Sequence, residues 1–470
     1  MNTNILFLVI DGLRSDKCFG PNKTSLTPNL DSIIEKGIIF PNSICPGFST
    51  IPSMSSIFTS MFPHECLIKD NETYDINPNI ENYVSFLKNL DYDTFGYMPE
   101  SLNVSRIPEL FGENVRTIPT AMTISKGLDK LIIEYFKKIK LKNKWFFYVH
   151  IYDLYVEFVL NSKESNQDFL NDKKFGENRY ERILSNLDSF IGKLFAEVEL
   201  NNTIVAIFSD HGNDRGAYTS KIEKFVLGLR QPDDFILERK EKINKLTPNF
   251  LKPIKRKIGR KYLTGVLKNQ KKDKIKEIDA EELSTHQRRL VKNAISGETN
   301  LYDDRYKVPL ILTGSGFSEH KIIEHQISTI DIFPTIFENI GYPEYNIDSR
   351  GRNLIPLIKN NEKIDDFVFI DSIGNSPKSK LSDLIGIRTN DYKYFRKRNN
   401  REEEIHLYDL QKDPLEEENV YKNNSELVEQ FEEVLQRLKK DGDFNIKSLD
   451  LKTDKESKET EKILSDLGYI

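Results

Sequence analysis

The sequence predicts an α/β protein, with a mainly parallel central sheet covered by helices on both faces and a smaller C-terminal α+β domain. Two patterns carry this reading. Through the first three-quarters of the chain, short apolar runs alternate with amphipathic helical ones, as expected where helices join parallel strands. After about residue 360, half-exposed alternating strands and one amphipathic helix take over. With 470 residues, 38% of them hydrophobic and 11% aromatic, there is apolar material for one large core and a smaller second one. The expected division is a large domain over 1–360, carrying a basic insertion at about 222–297, and a small domain over 361–470.

In chain order, "NILFLVI" (4–10), "DTFGYM" (93–98), "WFFYVHI" (145–151), "TIVAIFS" (203–209) and "VPLILTG" (308–314) read as buried strands. Between the first two, "TPNLDSIIEKG" (27–37) has a Thr cap, a Pro in the first turn and a closing Gly, the marks of a helix. A second helix is expected to begin at Pro52, and others to span roughly 122–140 and 180–199. Near the C-terminus, "DFVFIDSI" and "DLIGIRTNDYKYFRK" alternate as strands, and "SELVEQFEEVLQRLKK" is an amphipathic helix.

Composition excludes little about partners. Lys and Arg number 68 against 73 Asp and Glu, a net charge of −5. Cys18, Cys45 and Cys66 have no metal-binding spacing, and their odd number argues for reduced thiols over a disulfide framework. The apolar run from Ile5 to Ile10 lacks a basic leader and a cleavage site, so it reads as a strand and not a signal peptide. No other segment approaches the ~20 apolar residues of a membrane span. A soluble, cytoplasmic protein is expected, at most peripheral to a membrane. From Arg239 to Lys276 there are 15 Lys or Arg against two acids. Two readings stay open there: a solvated helical insertion, or a lid or docking surface for an anionic partner such as a membrane. No nucleic-acid reader motif accompanies the charge.

Ligands of parallel sheets collect at the carboxyl ends of strands, and polar residues stand at those ends. Asp11 follows the first strand, His150 and Asp153 stand at a later one, and "FSDHG" supplies Asp210 and His211. Two carboxylates and an imidazole suit one divalent ion such as Mn²⁺, Zn²⁺ or Ca²⁺. Thr50, just ahead of a helix, would complete the shell. A hydroxyl on a dication at a helix N-terminus becomes a usable nucleophile. An Asp-His-Gly alone is more often a capped turn; beside Asp11 and Thr50 it reads as a metal site.

Nine pieces of the chain, in order, resemble the sulfatase-like branch of the alkaline phosphatase superfamily. They are "NILFLVIDGLRSD", "TPNLDSIIEKGIIFPNSI", "TIPSMSSIFTSMFP", "HIYDLY", "IFSDHG", "YDDRYKVPLILTG", "ISTIDIFPTIFENIGYP", "IHLYDLQKDPLEEEN" and "LSDLGYI". The resemblance implies one catalytic domain, a small C-terminal domain, and ester hydrolysis or transfer at sulfur or phosphorus. By position, Asp11, Asp210 and His211 match family metal ligands, and Thr50 falls at the nucleophile. "HIYDLY" is similar to the family's His-x-x-Asp-x-His, with Tyr155 replacing the last His. His150 would then meet the transferring group or the leaving oxygen, with Asp153 and Tyr155 near the substrate. A second metal at Asp153 is not expected, because its histidine partners are not evident; His286 is a remote substitute.

The departures from the family matter as much. Sulfatases carry Cys or Ser within Cys/Ser-x-Pro-x-Arg, oxidised to formylglycine, and this chain reads Thr-Ile-Pro-Ser-Met. Threonine cannot give that aldehyde, because its β-carbon bears a methyl group. The supporting arginine is Met54, the lysine before the "VPLI" strand is Glu298, and the acid after the first Asp is Gly12. Thr-x-Pro-Ser is similar to phosphodiesterase and phosphotransferase relatives that use an unmodified Thr. The expected function is therefore a metal-dependent phosphoester hydrolase or phosphotransferase acting through Thr50 on a small-molecule, glycan or lipid-precursor ester. A sulfuric ester hydrolase without formylglycine and a non-catalytic binding protein are the alternatives.

Overall fold

A computed structural model describes residues 3–70, 73–159, 168–230, 283–296, 300–346, 349–360, 362, 364, 367–377 and 383–439, and beyond these 444, 446–448, 459, 460 and 463. The basic run at 239–276, Glu298 and the terminal "LSDLGYI" lie outside the described residues, and with them both readings of the basic run, solvated insertion and anionic docking surface.

The strands are, in order, β1 (Asn4–Ile10), β2 (Gly37–Ile44), β3 (Leu67–Asp70), β4 (Thr73–Ile76), β5 (Asp93–Pro99), β6 (Val115–Ile118), β7 (Trp145–Ile151), β8 (Thr203–Phe208), β9 (Lys307–Gly314), β10 (Lys321–Ile322), β11 (Ile327–Ser328), β12 (Val368–Asp371), β13 (Leu384–Arg388), β14 (Tyr392–Lys397), β15 (His406–Asp409) and β16 (Lys447–Ser448). The central sheet runs β10-β2-β9-β8-β1-β7-β5-β6, with β11 also on β2. Its pairings are parallel except those of β9, which is antiparallel to both β2 and β8. The five strands expected from apolar runs all lie in it. β1 is buried along its whole length and paired on both edges, which is why its sequence is continuously apolar and does not alternate. β2 has no such signature: Pro41 and Asn42 interrupt it where its register with β9 shifts, between Phe40 and Ser43.

Helices cover both faces. On one face, Thr50–Thr59, Tyr83–Asn89 and Ile332–Asn339 bury Met54, Phe58, Leu87 and Phe333 against Phe7, Phe146 and Tyr148 of the sheet. On the other, Phe136 of helix Leu128–Ile139 meets Trp145 and Phe147, and helix Arg179–Phe195 packs alongside. The C-terminal part is an antiparallel sheet, β12-β13-β14-β15, under helix Ser425–Leu438, whose Phe431 and Leu435 pack on Ile385, Tyr394 and Leu407. Met1–Gly216 and Thr299–Ile470 form one compact unit. Ala217–Glu298 form another, in which helices Ser220–Arg230 and Thr285–Ser296 pack together. The three cysteines are buried and unpaired, and no described helix is long and apolar enough to cross a membrane.

One buried ion cluster ties the C-terminal sheet to the segment before β9. The fully buried Lys393 ammonium meets Asp303 and, at 2.7 Å, Glu416, while Arg388 grips Asp303 at 2.7 Å. Burial opposes the charge on Asp303, but the Arg388 and Lys393 cations prevail and hold its carboxyl well below the ordinary range. A depressed folded pKa means stabilisation that is complete above the unfolded value and lost as pH falls below it. Asp303→Ala takes the carboxylate from the buried Arg388 and leaves Lys393 with Glu416 alone, and is expected to cost about 3 kcal/mol at neutral pH. The check is the urea midpoint, with the gap to wild type narrowing below about pH 4.

Candidate active site

Strands β7, β1 and β8 lie side by side and parallel, with His150, Val9 and Phe208 level across them. Their carboxyl ends therefore open at one place. Asp11 is anchored by its own N–H on the Ile151 carbonyl (3.0 Å). Ser209 Oγ accepts from the Leu13 N–H (2.9 Å) and lies 2.8 Å from the Ile10 carbonyl, joining the exits of β1 and β8. Asp210 Oδ1 accepts from the His211 N–H (3.0 Å) and, more weakly, the Gly12 N–H (3.4 Å), leaving Oδ2 to the site. Gly12 has φ +70°, and a Cβ there would come within 3.0 Å of the Asn213 side chain. Left-handed backbone costs other residues about 1–2 kcal/mol, which accounts for a glycine where the family resemblance calls for an acid.

The helix Thr50–Thr59 closes the site from one side, and it starts two residues earlier than Pro52. Ser49 is extended and Thr50 is the first helical residue. Pro52 in the first turn costs nothing, because that N–H has no partner within the helix. Every residue of this helix is buried. Thr50 Oγ1 donates to Asp11 Oδ2 (3.3 Å), and Ser53 Oγ donates to the Asp210 carbonyl (2.5 Å).

Five sequence-predicted residues converge. Asp11, His150 and Asp210 each bring a ligand atom within 4.8 Å of the others. His211 Nε2 lies 3.4 Å from Asp210 Oδ2 and 3.8 Å from Asp11 Oδ2, and Thr50 faces the same carboxylates. His150, expected beside the substrate, turns Nε2 toward Asp210 Oδ2 (3.9 Å), while its Nδ1 engages the Tyr148 hydroxyl (2.6 Å). Asp153 and Tyr155 stand outside the cluster. Asp153 Oδ1 accepts from the Ile124 N–H (2.7 Å); burial, together with nearby Glu157, pushes this carboxyl up to about 8 against that hydrogen bond. Tyr155 turns its ring to Arg215, whose guanidinium carbon is 4.7 Å from the ring centroid. His286 belongs to the Ala217–Glu298 unit.

The electrostatics are those of a site built for a cation. Burial, reinforced by Asp210, pushes the Asp11 carboxyl up to about 7. Burial works against the charge of Asp210 too, but His211 and His150 keep it below its ordinary value. His150 is driven down to about 4 by burial, so its imidazole is neutral. Burial opposes charge on His211, yet Asp210 and Asp11 raise it. Asp210 Oδ2 and His150 Nε2 are buried and make no hydrogen bond among the described residues. Hard oxygens, a neutral imidazole held from behind and two orphaned ligand atoms fit a divalent metal. Sequence reading missed Tyr148, Ser209 and Arg215, because nothing local marks them; they matter by what lies next to them in space.

The Sulfatase family profile matches residues 3–342. The chain belongs to the sulfatase family. Residues 297–441 also match the profile described as N-sulphoglucosamine sulphohydrolase, C-terminal. No curated protein sequence matches. Among solved structures, a 2-O GAG sulfatase is 15% identical with a TM-score of 0.61, over 93% of this chain and 92% of its own. A phosphonate monoester hydrolase of Agrobacterium radiobacter is 14% identical with a TM-score of 0.58, over 93% of this chain and 95% of its own. A protein solved with D-glucosamine-2-N,6-O-disulfate as its substrate is 16% identical, TM-score 0.59, over 100% and 99%. The protein is thus a sulfatase-family hydrolase with the fold its sequence predicted, and the family is metal-dependent.

The Asp11–His150–Asp210 group makes a direct prediction. Dialysed against Mn²⁺, Zn²⁺ or Ca²⁺, the wild type is expected to retain one ion per chain by elemental analysis. Asp210→Asn is expected to lose it with unchanged far-UV circular dichroism. Saturating ion at about 100 times Kd should stabilise the wild type by about 2.7 kcal/mol and leave the variant unmoved.

Proposed function

We propose that this sulfatase-family protein hydrolyses or transfers phosphate esters through Thr50. The observation that carries the reading is the setting of the Thr50 hydroxyl: first residue of a buried helix, hydrogen-bonded to Asp11 and facing a cluster of two carboxylates and two imidazoles. A threonine Oγ1 is a nucleophile as it stands, and its β-methyl bars the aldehyde route. Met54 supports the same reading, since it is sealed in the core beside Ile57 and Phe58 where formylglycine sulfatases carry an arginine.

Asp11, Asp210, His211, His150 and Thr50 would hold the divalent metal, which when bound lowers the pKa of a neighbouring hydroxyl and offsets charge on the ester group. The chain's own residues do the rest. Asp11 Oδ2 takes the proton from Thr50 Oγ1 across 3.3 Å. Oγ1 attacks phosphorus, the bond to the ester oxygen breaks, and the leaving oxygen takes a proton from solvent. The phosphoryl group stays on Thr50 until water, or an acceptor alcohol in a transferase, attacks it and gives its proton to solvent; the bond to Oγ1 breaks, and Oγ1 takes back the proton held on Asp11. His150, neutral and locked by Tyr148, orients and does not supply a proton. Arg215, stacked on Tyr155 and Phe158 with its charge felt at Asp11, offers the anionic ester a cation in place of the family's.

Sulfate-ester hydrolysis by unmodified Thr50 is the second reading, favoured by family membership and by the sulfated sugar bound to one structural relative. A panel of phosphate mono- and diesters against sulfate esters decides between the two. Thr50→Ser is expected to keep part of the activity, and Thr50→Ala to lose at least about a thousand-fold. Acid-quenched wild type should carry phosphate on the Thr50 peptide by mass spectrometry. Sulfate-ester turnover without phosphoester turnover would overturn the phosphate assignment.

A further inference from the structure

The loop leaving β12 lies against the N-terminal end of the Thr50 helix. The Asp371 N–H donates to the Pro46 carbonyl (3.0 Å), and Asp371 forms a parallel bridge with Gly47. Ser49 Oγ reaches the Ile373 carbonyl (3.4 Å), and the Tyr74 N–H donates to the Asn375 carbonyl (3.1 Å). Held in this way, Asn375 offers Oδ1 to the Ile51 N–H at 2.9 Å. That N–H follows Thr50 directly and is one of the first-turn donors no helix can satisfy for itself.

The hydrogen bond settles which way the carboxamide faces. Only its oxygen can accept, so the NH₂ group must take the other side. Asn375 is 4% exposed, and its Nδ2 makes no hydrogen bond among the described residues. The need for a donor here is specific: Asp11 and Asp210 present acceptors, and the arginine and lysine expected from the family are Met54 and Glu298.

We propose that Asn375 binds substrate, its Nδ2 donating to a non-bridging oxygen of the anionic ester group that Thr50 attacks. The assignment rests on Thr50 being the nucleophile. The amide donor stabilises charge that builds on that oxygen as the ester bond breaks, adding no net charge to a site already crowded with ionisable groups. One carboxamide thus does two jobs, tethering the nucleophile's helix with its oxygen and gripping the substrate with its nitrogen.

The two jobs separate by mutation. Asn375→Asp keeps an acceptor for the Ile51 N–H and puts an anion at a helix N-terminus, so folding is preserved, but it removes the donor. Asn375→Ala removes both without adding charge. In the metal-loaded full-length protein, each variant is expected to lose about a hundred-fold in kcat/KM. Each is also expected to bind inorganic phosphate at least ten-fold more weakly by calorimetry, with metal content at the wild-type level. A purely structural tether predicts that Asn375→Asp restores wild-type kcat/KM and that phosphate Kd is unchanged in Asn375→Ala; either result overturns the proposal. If the wild type turns over no ester at all, the reading of Thr50 falls instead. Phosphate affinity still tests the donor in that case, and an unchanged Kd in both variants overturns it.

Discussion

Two buried carboxylates face one another at the carboxyl ends of β1 and β8, and the surrounding structure answers to that constraint. In a medium of low dielectric, Asp11 and Asp210 cannot both be ionised cheaply, which is why Asp11 alone is driven up to about 7. His211 offsets part of the repulsion, and Thr50 adds one hydrogen bond. What remains is a concentrated demand for positive charge. A divalent cation would meet it, and Asp210 Oδ2 and His150 Nε2, without hydrogen bonds among the described residues, mark where that demand is strongest.

Holding such an arrangement requires rigid supports, and they come from the core. Phe58 of the Thr50 helix packs on the Tyr148 ring (5.4 Å between centroids), and the Tyr148 hydroxyl holds His150. One hydrophobic contact therefore couples the helix carrying Thr50 to the orientation of an imidazole in the cluster. The same helix is pinned by Ser53 to the Asp210 carbonyl and by the loop after β12 at its N-terminal end. A close-packed interior allows little drift, so Thr50 Oγ1 stays within reach of Asp11 without a flexible tether. The reading of Thr50 as a nucleophile draws on this preorganisation, because positioning supplies much of what an unmodified hydroxyl lacks in reactivity.

Five strands of the central sheet, β1, β5, β7, β8 and β9, were legible because they are almost wholly buried and read as apolar runs. β2 was not, because Pro41 and Asn42 break the run where its pairing with β9 slips, and the alternation of neighbours there is a tertiary matter. The helix start was misjudged by two residues: Pro52 is a strong local signal, yet a proline is tolerated anywhere in the first turn. Asp11, Asp210 and His211 were legible from their stations at strand ends. Asp153, with the same kind of station, is turned into a separate buried pocket beside Glu157, which side-chain direction decided.

By itself, the sequence determined an α/β fold and membership of the sulfatase family. Those are properties of local pattern and residue chemistry, and they survive without coordinates. Only the tertiary structure decided that His150 turns toward the carboxylates, that Tyr148 holds it, and that Asn375 reaches Ile51 from 324 residues away. Each of these depends on which side chains a parallel register and a packed loop bring within 3 to 4 Å of one another, and separation along the chain carries no record of that distance.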